Sequence, residues 1–328
     1  MIKKLQIFQT NCVDPYRNIA TEKYLLETVP EDTCILYLWQ NQNTVVIGRN
    51  QNAWVECRTS LLEEEGGKLA RRLSGGGAVF HDLGNLNFTF LMNDDDYDLD
   101  RQLSVIQVAC GYLGIQVEKS GRNDLLAQGH KFSGNAFYHS QGKAYHHGTL
   151  LVSADMEKLG RYLTPSKAKL QAKGVASVRS RVINLSELVP PLTCQKLGEC
   201  MQRAFREVYG YEPEEITLSP EATAYVDEWA EKLQSWDWLY GPKLPFSLSC
   251  EARFDWGCLT LALQVSSGKI VAAQVYSDSM DWELPQKVQT CLQGCRFNQS
   301  GMEAALLTAL GDNQVALDIC NLLKEQNL

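Results

Sequence analysis

Residues 71–82 hold the densest run of groups that could bind a charged ligand. Arg71 and Arg72 are followed by Ser74 and three glycines, all placed between two predicted strands. Glycines let the backbone approach a ligand closely, and their amides, together with Arg72, can hold an anion. A tight hairpin flanked by solvated arginines is the alternative interpretation. The run matches neither a P-loop nor a dinucleotide fingerprint, so any nucleotide must be bound here by another scheme.

Lys131 is a second candidate for chemistry. It follows a predicted turn at Gln128-Gly129 and starts a strand whose next residues, 133–136, are Ser, Gly, Asn and Ala. These small residues leave space for a ligand beside an ammonium group. A lysine taken alone at such a position is more often an exposed hairpin residue. Lys131 therefore becomes a strong candidate only in combination with other segments.

The histidines do not predict a metal site. His146 and His147 are neighbours on a predicted strand, so their side chains point to opposite faces and cannot both bind one ion. His81 lies far away in the sequence, and the chain contains no Cys-x-x-Cys pair. We therefore expect structural roles for these histidines and no zinc site.

The elements that must position these residues form an alternation of short strands and helices. Asp14-Pro15 predicts the start of a helix that ends near Thr28, and residues 124–151 predict antiparallel strands. The proline-rich run 241–245 predicts a stiff linker. We expect an α+β fold with a large catalytic domain, residues 1–241, built on a mixed or antiparallel sheet. A small α+β accessory domain is expected to occupy residues 246–328.

The composition excludes several classes of protein. The net charge is −8 with no basic cluster, which argues against nucleic-acid binding. No apolar run approaches the ~18 residues of a membrane helix, and the first residues predict a strand, not a signal peptide. Eleven cysteines without a Cys-x-x-Cys pair predict reduced thiols. We therefore expect a cytoplasmic protein with no membrane or nucleic-acid partner.

Seven segments in order along the chain resemble the lipoate–protein ligase family, within the biotin and lipoate ligases. They are residues 45–52, 71–82, 84–90, 121–124, 131–134, 146–151 and 172–182. Each segment is weakly specific alone, but chance does not explain seven in the same order. The resemblance runs from Asp14 to the tryptophans near residue 238 and continues more weakly through the C-terminal domain.

This resemblance implies a two-step, ATP-dependent reaction. Free lipoate is activated to lipoyl-AMP with release of pyrophosphate, and the lipoyl group is then transferred to a lysine of a lipoyl-domain protein. The implied substrates and cofactors are ATP, lipoate, and Mg²⁺ carried by the phosphates. The implied partners are the lipoyl domains of 2-oxoacid dehydrogenase acyltransferase subunits and the glycine cleavage H protein.

The resemblance also implies roles for particular residues. Lys131 is expected to be catalytic and to contact both the lipoyl carbonyl and the adenylate phosphate. The residues expected to bind ATP or the adenylate are Arg72, Gly77, Ala78, Val79, Phe80, Lys131 and Lys173. Those expected to bind lipoate are Lys131, Ser74, Gly75 and Gly76. Weaker candidates are Asp124, Asn123 and His147, and no dedicated metal ligands are expected. Lys173 belongs to a polar, lysine-rich stretch, residues 164–182, that we expect to close over the adenylate.

Three alternatives remain open at this stage. One is an octanoyl- or lipoyltransferase of the same fold, which takes a carrier-bound acyl group without ATP and in one type acylates its own cysteine. The absence of cysteine between Cys110 and Cys194 argues against that thioester route. A second is an enzyme that only transfers from preformed lipoyl-AMP. A third is a catalytically inactive lipoate-binding protein, which the presence of Lys131, Arg72 and the glycine run disfavours.

Overall fold

The computed structural model of the chain describes residues 1–121, 124–164, 182–241, 248–266 and 268–325. The chain divides into two compact units. The first unit contains Met1–Val46, Trp54–Arg71 and Ala78–Leu239, and the second contains Ile47–Ala53, Arg72–Gly77 and Tyr240–Leu328. Two internal segments thus group with the C-terminal residues. The division into residues 1–241 and 246–328 stays a prediction, and most of its linker lies outside the described residues.

A large mixed sheet is the centre of the first unit. The strands up to residue 215 are β1 (Lys4–Gln9), β2 (Thr33–Trp39), β3 (Thr44–Ile47), β4 (Lys68–Arg71), β5 (Val79–His81), β6 (Asn85–Asn93), β7 (Glu118–Ser120), β8 (Asp124–Ala127), β9 (His130–Ser140), β10 (Lys143–Leu151) and β11 (Pro213–Glu215). Among the described residues, eight of them form one sheet in the order β11-β1-β2-β6-β10-β9-β8-β7. β1 pairs parallel with β2 and β11, and the other neighbours pair antiparallel.

Helices cover both faces of this sheet. The described helices up to residue 239 are α1 (Pro15–Thr28), α2 (Ala53–Glu56), α3 (Thr59–Glu64), α4 (Leu99–Gly111), α5 (Met156–Tyr162), α6 (Leu185–Leu188), α7 (Cys194–Tyr209), α8 (Pro220–Leu233) and α9 (Trp236–Leu239). Of these, α4 and α7 pack on one face of the large sheet, and α1 and α8 pack on the other. The start of α1 is confirmed, because the Asp14 carboxylate accepts from the N–H groups of Tyr16 and Arg17, and Pro15 lies in the first turn. α7 ends at Gly210, whose φ of 77° is the left-handed conformation expected of a glycine cap.

The two faces of the sheet belong to two different cores. On β6, Phe88 and Phe90 face a core that α4 and α7 close, whereas Leu91 faces a core that α1 and α8 close. β2 alternates in the same way, with Leu38 on the first face and Trp39 on the second. This period of two assigns every side chain of the central strands to one face or the other. The face covered by α1 is called the α1 face below.

A three-stranded sheet, in the order β4-β3-β5, leads into and out of the glycine run. Val45 of β3 lies opposite Phe80 of β5 in an antiparallel pair. At the end of β4, the Arg71 carbonyl accepts from Trp238 Nε1 at 2.9 Å, and Arg71 Nε donates back to the Trp238 carbonyl at 2.8 Å. The strand before the glycine run is therefore fixed at its last residue.

The second unit contains a small α+β arrangement. β12 (Leu248–Phe254), β13 (Gly257–Ser266) and β14 (Lys269–Ser277) form an antiparallel meander. α10 (Leu284–Leu292), α11 (Gln299–Leu310) and α12 (Gln314–Lys324) follow. Side chains such as Leu261, Val288 and Ile319 form its core. The predicted fold class, a large mixed sheet with a small C-terminal α+β part, is confirmed.

Two further findings complete the comparison with the sequence. The parallel edge strand β11 was not predicted, because its three residues, Pro-Glu-Glu, carry no alternating apolar pattern. No helix of the described residues combines the length and the apolar character that crossing a membrane requires.

Candidate active site

Lys131 is held in place by a carboxylate and lies across a glycine. Its Nζ is 2.6 Å from Asp124 Oδ1, and its side chain is 28% exposed. A Cβ added to Gly134 would lie 3.0 Å from this Nζ. The preceding turn uses Gln128 and Gly129, which both have positive φ. The ammonium group is therefore fixed in position and still accessible to a ligand.

Thr149 of β10 supports the strand beneath the lysine. Its Oγ1 accepts from the Gly134 N–H at 3.2 Å, and it lies 3.9 Å from the position of an added Gly134 Cβ. The pairing of β8 with β9 also shifts register between Leu125 and Leu126, close to Asp124. Lys131, Gly134 and Thr149 consequently share one side of the sheet. Because Tyr145 of β10 belongs to the core on the α1 face, Thr149 lies on that face too.

The segment predicted to close over the adenylate begins and ends at well-defined contacts. At one end, the Thr164 N–H donates to the Glu56 carbonyl at 3.0 Å. At the other end, Val182 forms a parallel bridge with Lys131, and the Ile183 N–H donates to the Lys131 carbonyl at 3.0 Å. Residues 165–181, including Lys173, lie outside the described residues. The chain thus re-enters the described part directly beside the catalytic candidate.

Arg72 is buried and hydrogen-bonded to its own loop. Its Nε donates to Ser74 Oγ at 3.0 Å, and its Nη2 donates to the carbonyls of Gly75 and Gly77 at 2.7 and 2.8 Å. Only 6% of the residue is exposed. These hydrogen bonds hold the glycine run folded around the planar guanidinium group. This is a structural contribution of Arg72 that the sequence analysis did not anticipate.

The glycine run is tightly packed in its first half and open in its second. The Gly76 N–H donates to the Ser279 carbonyl at 3.0 Å. A Cβ on Gly75 would lie 2.3 Å from that same oxygen, so no side chain fits there. Residues 74–76 are buried, whereas residues 77–79 are half-buried, and a Cβ on Gly77 would meet nothing within 4 Å. The backbone of residues 77–79 is therefore the accessible part of the run.

Buried polar side chains collect on the α1 face. Glu22 of α1 is 0% exposed, and its Oε1 accepts from Thr89 Oγ1 at 2.7 Å. The same Oε1 lies 2.7 Å from His147 Nδ1. Trp39 Nε1 donates to Thr89 Oγ1 at 3.1 Å. A fully buried carboxylate is rare in proteins, so this group marks the face as more than a packing surface.

Cross-strand pairing shows how these residues relate to Lys131. Tyr37, Thr89, His147 and Ala136 lie side by side across β2, β6, β10 and β9. In the adjacent row, Trp39 and Thr149 flank Asn87, and Thr149 contacts Gly134. These residues form one continuous row on the α1 face. The row begins at Gly134, next to the Lys131 ammonium group, and ends at the Trp39 indole.

His146 lies on the opposite face and is buried in the other core. Its Nδ1 is 3.0 Å from Gln102 Oε1, and its Nε2 is 2.8 Å from Asn135 Oδ1. Burial lowers the pKa of His146 to about 3, so the ring is neutral at physiological pH. A neutral ring has one N–H donor and one nitrogen that accepts. One of the two side-chain amides must therefore present its NH2 group, not its oxygen, to the ring. The expectation that His146 and His147 point to opposite faces is confirmed.

The candidate residues thus fall into two clusters. Lys131 and Asp124 come together in the first unit, while Arg72, Ser74, Gly75 and Gly76 come together in the second, with Gly77. Asn123 and Lys173 lie outside the described residues. Among the described residues, no group of three or more His, Cys, Asp or Glu side chains could hold a metal ion.

Glu22, Gly134 and Thr149 are site residues that the sequence analysis did not single out. A signal for Glu22 was present, because it lies three residues from both Ile19 and Leu25 on the apolar side of a predicted helix. A carboxylate on that side must be buried and needs a partner. Gly134 and Thr149 gave no separate signal, since their contact depends on the pairing of β9 with β10.

The chain belongs to the family of lipoate protein ligases. It shares with them a large mixed sheet and a small C-terminal α+β part. Residues 14–206 match the family model described as lipoyl protein ligase A/B catalytic domain. Residues 243–319 match the one described as bacterial lipoate protein ligase C-terminus.

Solved structures agree with this assignment. LipL1 of P. falciparum, whose crystal structure is in complex with lipoate, is 28% identical, with a TM-score of 0.83 over 96% of this chain and 97% of that one. The bipartite lipoate protein ligase of Thermoplasma acidophilum, solved in a study that includes its E2 lipoyl domain, is 25% identical, with a TM-score of 0.65 over 76% of this chain and 100% of that one. A lipoate-protein ligase A bound with ATP is 24% identical, with a TM-score of 0.64 over 74% and 99%, and shows the shared fold.

Proposed function

We propose that this chain is an ATP-dependent, AMP-forming lipoate–protein ligase that catalyses both activation of free lipoate and transfer of the lipoyl group to a lysine. The observation that carries the proposal is the Lys131 site, in which an accessible ammonium group lies across Gly134 beside Asp124. Family membership supplies the reaction class, and the relatives bound to lipoate or to ATP supply the substrates.

In the first step, a carboxylate oxygen of lipoate attacks the α-phosphorus of ATP. The bond to the β-phosphate breaks, pyrophosphate leaves, and lipoyl-AMP forms. Two anions must approach each other, so a preorganised cation that does not itself react lowers the barrier. Lys131 provides this cation and contacts both the acyl carbonyl and the phosphate. Lys131 can leave Asp124 and bind these ligand oxygens without a large movement, because its ammonium group is already accessible.

The acyl chain extends from Lys131 along the α1 face. The side chains on this part of the sheet are short, because the residues are Gly134, Ala136 and Thr149. They leave space for an acyl chain above the sheet. Burying the methylenes of the chain here contributes ~0.8 kcal/mol each. The predicted contacts of Ser74, Gly75 and Gly76 with lipoate stay a prediction, and in the second unit these residues are already packed against their own neighbours.

The phosphates of ATP are bound by backbone amides of Gly77, Ala78, Val79 and Phe80. Of these residues, the first three are half-buried and Phe80 is buried, so the amides of residues 77–79 are the ones we propose as first contacts. Arg72 supports them by holding the carbonyls of Gly75 and Gly77 inward. Lys173 remains a proposed adenylate contact. Magnesium would enter on the phosphates and neutralise part of their charge.

In the second step, the neutral amine of the acceptor lysine attacks the lipoyl carbonyl. The bond between the carbonyl carbon and the phosphate oxygen breaks, AMP leaves with Lys131 stabilising its charge, and the nitrogen gives up a proton to Asp124 or to water. Only on the order of one in a thousand such amines is neutral at pH 7. A nearby carboxylate can therefore assist by accepting the proton of the amine or by orienting it. Asp124 is the described carboxylate beside Lys131, with Asn123 and His147 as further proposed contributors.

The proposed acceptors are lipoyl domains of 2-oxoacid dehydrogenase acyltransferase subunits and the glycine cleavage H protein, acting in the cytoplasm. The T. acidophilum relative was studied with its E2 lipoyl domain, which supports this class of partner. No nucleic-acid partner is proposed, because the net charge of −8 is unfavourable for one.

An octanoyl- or lipoyltransferase that uses a carrier-bound or preformed activated acyl group is the alternative. A thioester route within it requires a reactive thiolate. Burial raises the pKa of Cys57, Cys110 and Cys194 to about 12, so these thiols are protonated at physiological pH. No cysteine occurs between Cys110 and Cys194, the span that contains Lys131. Both observations favour the ligase.

Release of pyrophosphate by the purified protein with ATP, Mg²⁺ and lipoate, but without acceptor, tests the proposal. We expect release only when all three are present, and lipoyl-AMP bound to the protein. Transfer from supplied lipoyl-AMP to an apo lipoyl domain is then measured separately. Transfer without any pyrophosphate release would contradict the ligase proposal and support the alternative.

A further inference from the structure

Asn87 has a buried side-chain amide whose NH2 group has no acceptor among the described residues. The residue is 1% exposed. Its Oδ1 accepts from Asn85 Nδ2 at 2.8 Å, whereas its Nδ2 has no hydrogen-bond acceptor among the described residues. Leaving a buried donor unpaired is unfavourable for folding. Such a group, when it persists at a ligand-binding surface, indicates a contact that the ligand itself completes.

The position of Asn87 relates it to the acyl chain. It lies in the row that runs from Gly134 through Thr149 to Trp39, directly between Thr149 and Trp39. Lys131 lies across Gly134 at the start of this row. With neighbouring strands about 4.8 Å apart, Asn87 is two strands, roughly 10 Å, from Gly134. An acyl chain whose carboxyl end contacts Lys131 therefore brings its far end to Asn87.

Two donors next to Asn87, the Thr89 hydroxyl and the Trp39 indole N–H, are already engaged. Thr89 Oγ1 accepts from Trp39 Nε1 and donates to Glu22. Glu22 also contacts His147. Neither Thr89 nor the Trp39 indole N–H is therefore a spare donor. Asn87 Nδ2 has no acceptor among the described residues, so it is available to the far end of a ligand in this row.

We propose that Asn87 Nδ2 donates a hydrogen bond to a ring sulfur of the lipoyl group and so makes this enzyme prefer lipoate over a saturated acid of the same length. The inference rests on the proposed function, because it takes lipoate as the ligand of the α1 face. Sulfur is a weak hydrogen-bond acceptor, which a buried amide N–H can still use when it has no other partner. Octanoate has no acceptor at its far end and leaves the donor unpaired.

The test compares lipoate with octanoate in wild-type protein and in Asn87→Leu. Leucine has a similar branched shape but no donor. The measured quantity is the ratio of kcat/KM for lipoate to that for octanoate, from acceptor-free pyrophosphate release. We expect this ratio to fall about fivefold, which corresponds to ~1 kcal/mol at 1.4 kcal/mol per factor of ten. Asn87→Ala repeats the comparison without the bulk of leucine.

Asn93→Leu is the matched control. Asn93 lies on the same strand and the same face, and its Nδ2 already donates to the Pro30 carbonyl at 3.1 Å. Its ratio should equal that of the wild type. An unchanged ratio in both Asn87 variants, or an equal loss for both acids, overturns the proposal. The latter result would also arise from a buried water that serves the donor with either ligand.

Calorimetric binding of the two free acids, without ATP, separates this inference from the proposed function. We expect the preference for lipoate to be lost in the Asn87 variants in this measurement as well. If the wild type releases no pyrophosphate with either acid, the proposed function fails. If it releases pyrophosphate with both acids and neither the kinetic nor the binding preference responds to Asn87, the inference alone fails.

Discussion

Lys131 and Arg72 were both expected to contact a charged substrate, yet the structure holds them in opposite ways. Lys131 is partly exposed and is paired with the carboxylate of Asp124. Arg72 is 6% exposed and donates to the Ser74 hydroxyl and to two carbonyls of its own loop. The lysine can exchange its partner for a ligand oxygen, whereas the arginine would have to give up the bonds that shape the loop.

We propose that this difference separates a group that acts on the ligand, Lys131, from one that builds the site, Arg72. A positive charge alone does not distinguish the two roles, because both residues carry one. What distinguishes them is exposure and the kind of partner. Lys131 fits direct charge stabilisation, while Arg72 fits the support of a backbone whose accessible amides lie at residues 77–79. Substitutions at the two residues should therefore affect different measurements.

Of these substitutions, Lys131→Ala should have the largest effect. It should lower the reaction rate and leave the stability of the protein almost unchanged. Removing one preorganised charge typically costs ~3–4 kcal/mol of transition-state stabilisation, or two to three orders of magnitude in rate. We expect this loss in lipoyl-AMP formation, measured as pyrophosphate release. The midpoint of urea unfolding should change little, because a partly exposed ion pair contributes little to stability. Adenylation at a near wild-type rate would remove Lys131 from the mechanism.

Arg72→Lys should have its main effect on stability. Lysine keeps the charge but lacks the fork of donors that reaches Ser74, Gly75 and Gly77 together. We expect the free energy of unfolding to fall by about 2–3 kcal/mol, since buried bonds to a charged group are lost. Urea unfolding followed by tryptophan fluorescence measures this. A fully stable Arg72→Lys protein that cannot form lipoyl-AMP would show that Arg72 acts directly on ATP, and the contrast with Lys131 would disappear.

Gly75→Ala and Gly77→Ala probe the packed and open halves of the same loop. A Cβ at residue 75 would lie 2.3 Å from the Ser279 carbonyl oxygen, whereas one at residue 77 would meet nothing within 4 Å. We expect Gly75→Ala to lower the free energy of unfolding by about 1–3 kcal/mol, as overpacking does. Gly77→Ala should change it by less than about 0.5 kcal/mol. Equal effects of the two substitutions would contradict the division of the loop into a packed and an open half.

The sequence predicted the local structure well wherever capping and turn residues determine it. Asp14-Pro15 predicted the start of α1, and Gln128-Gly129 predicted the turn before β9. These signals act over a few residues, so one sequence is sufficient to recognise them. The two strands that flank the glycine run were recognised for the same reason, from short local patterns.

Long-range pairing was not predictable in the same way. Nothing in residues 213–215 shows that they add a parallel strand to β1, and nothing in residue 279 shows that it accepts from Gly76. The buried Glu22 was detectable from its place among apolar neighbours, but its partners Thr89 and His147 come from two distant strands. Such contacts depend on the register of the whole sheet, which a single sequence does not specify.

Asp124→Asn should have the smallest effect, and its pattern decides between two roles. Asparagine keeps an oxygen near Lys131 but removes the charge, and a partly exposed ion pair is worth about 1 kcal/mol or less. We expect a rate loss of roughly three- to fivefold.

If Asp124 only positions Lys131, adenylation and transfer should slow by similar factors, because the same ammonium group serves both steps. If Asp124 instead takes the proton of the acceptor amine, transfer from supplied lipoyl-AMP should slow far more than adenylation, most strongly at low pH. Asp124→Glu, which restores the charge, should recover part of both rates in the positioning role. Single-turnover measurements of each half-reaction across pH distinguish these outcomes, and a normal rate in both steps would show that Asp124 contributes to neither.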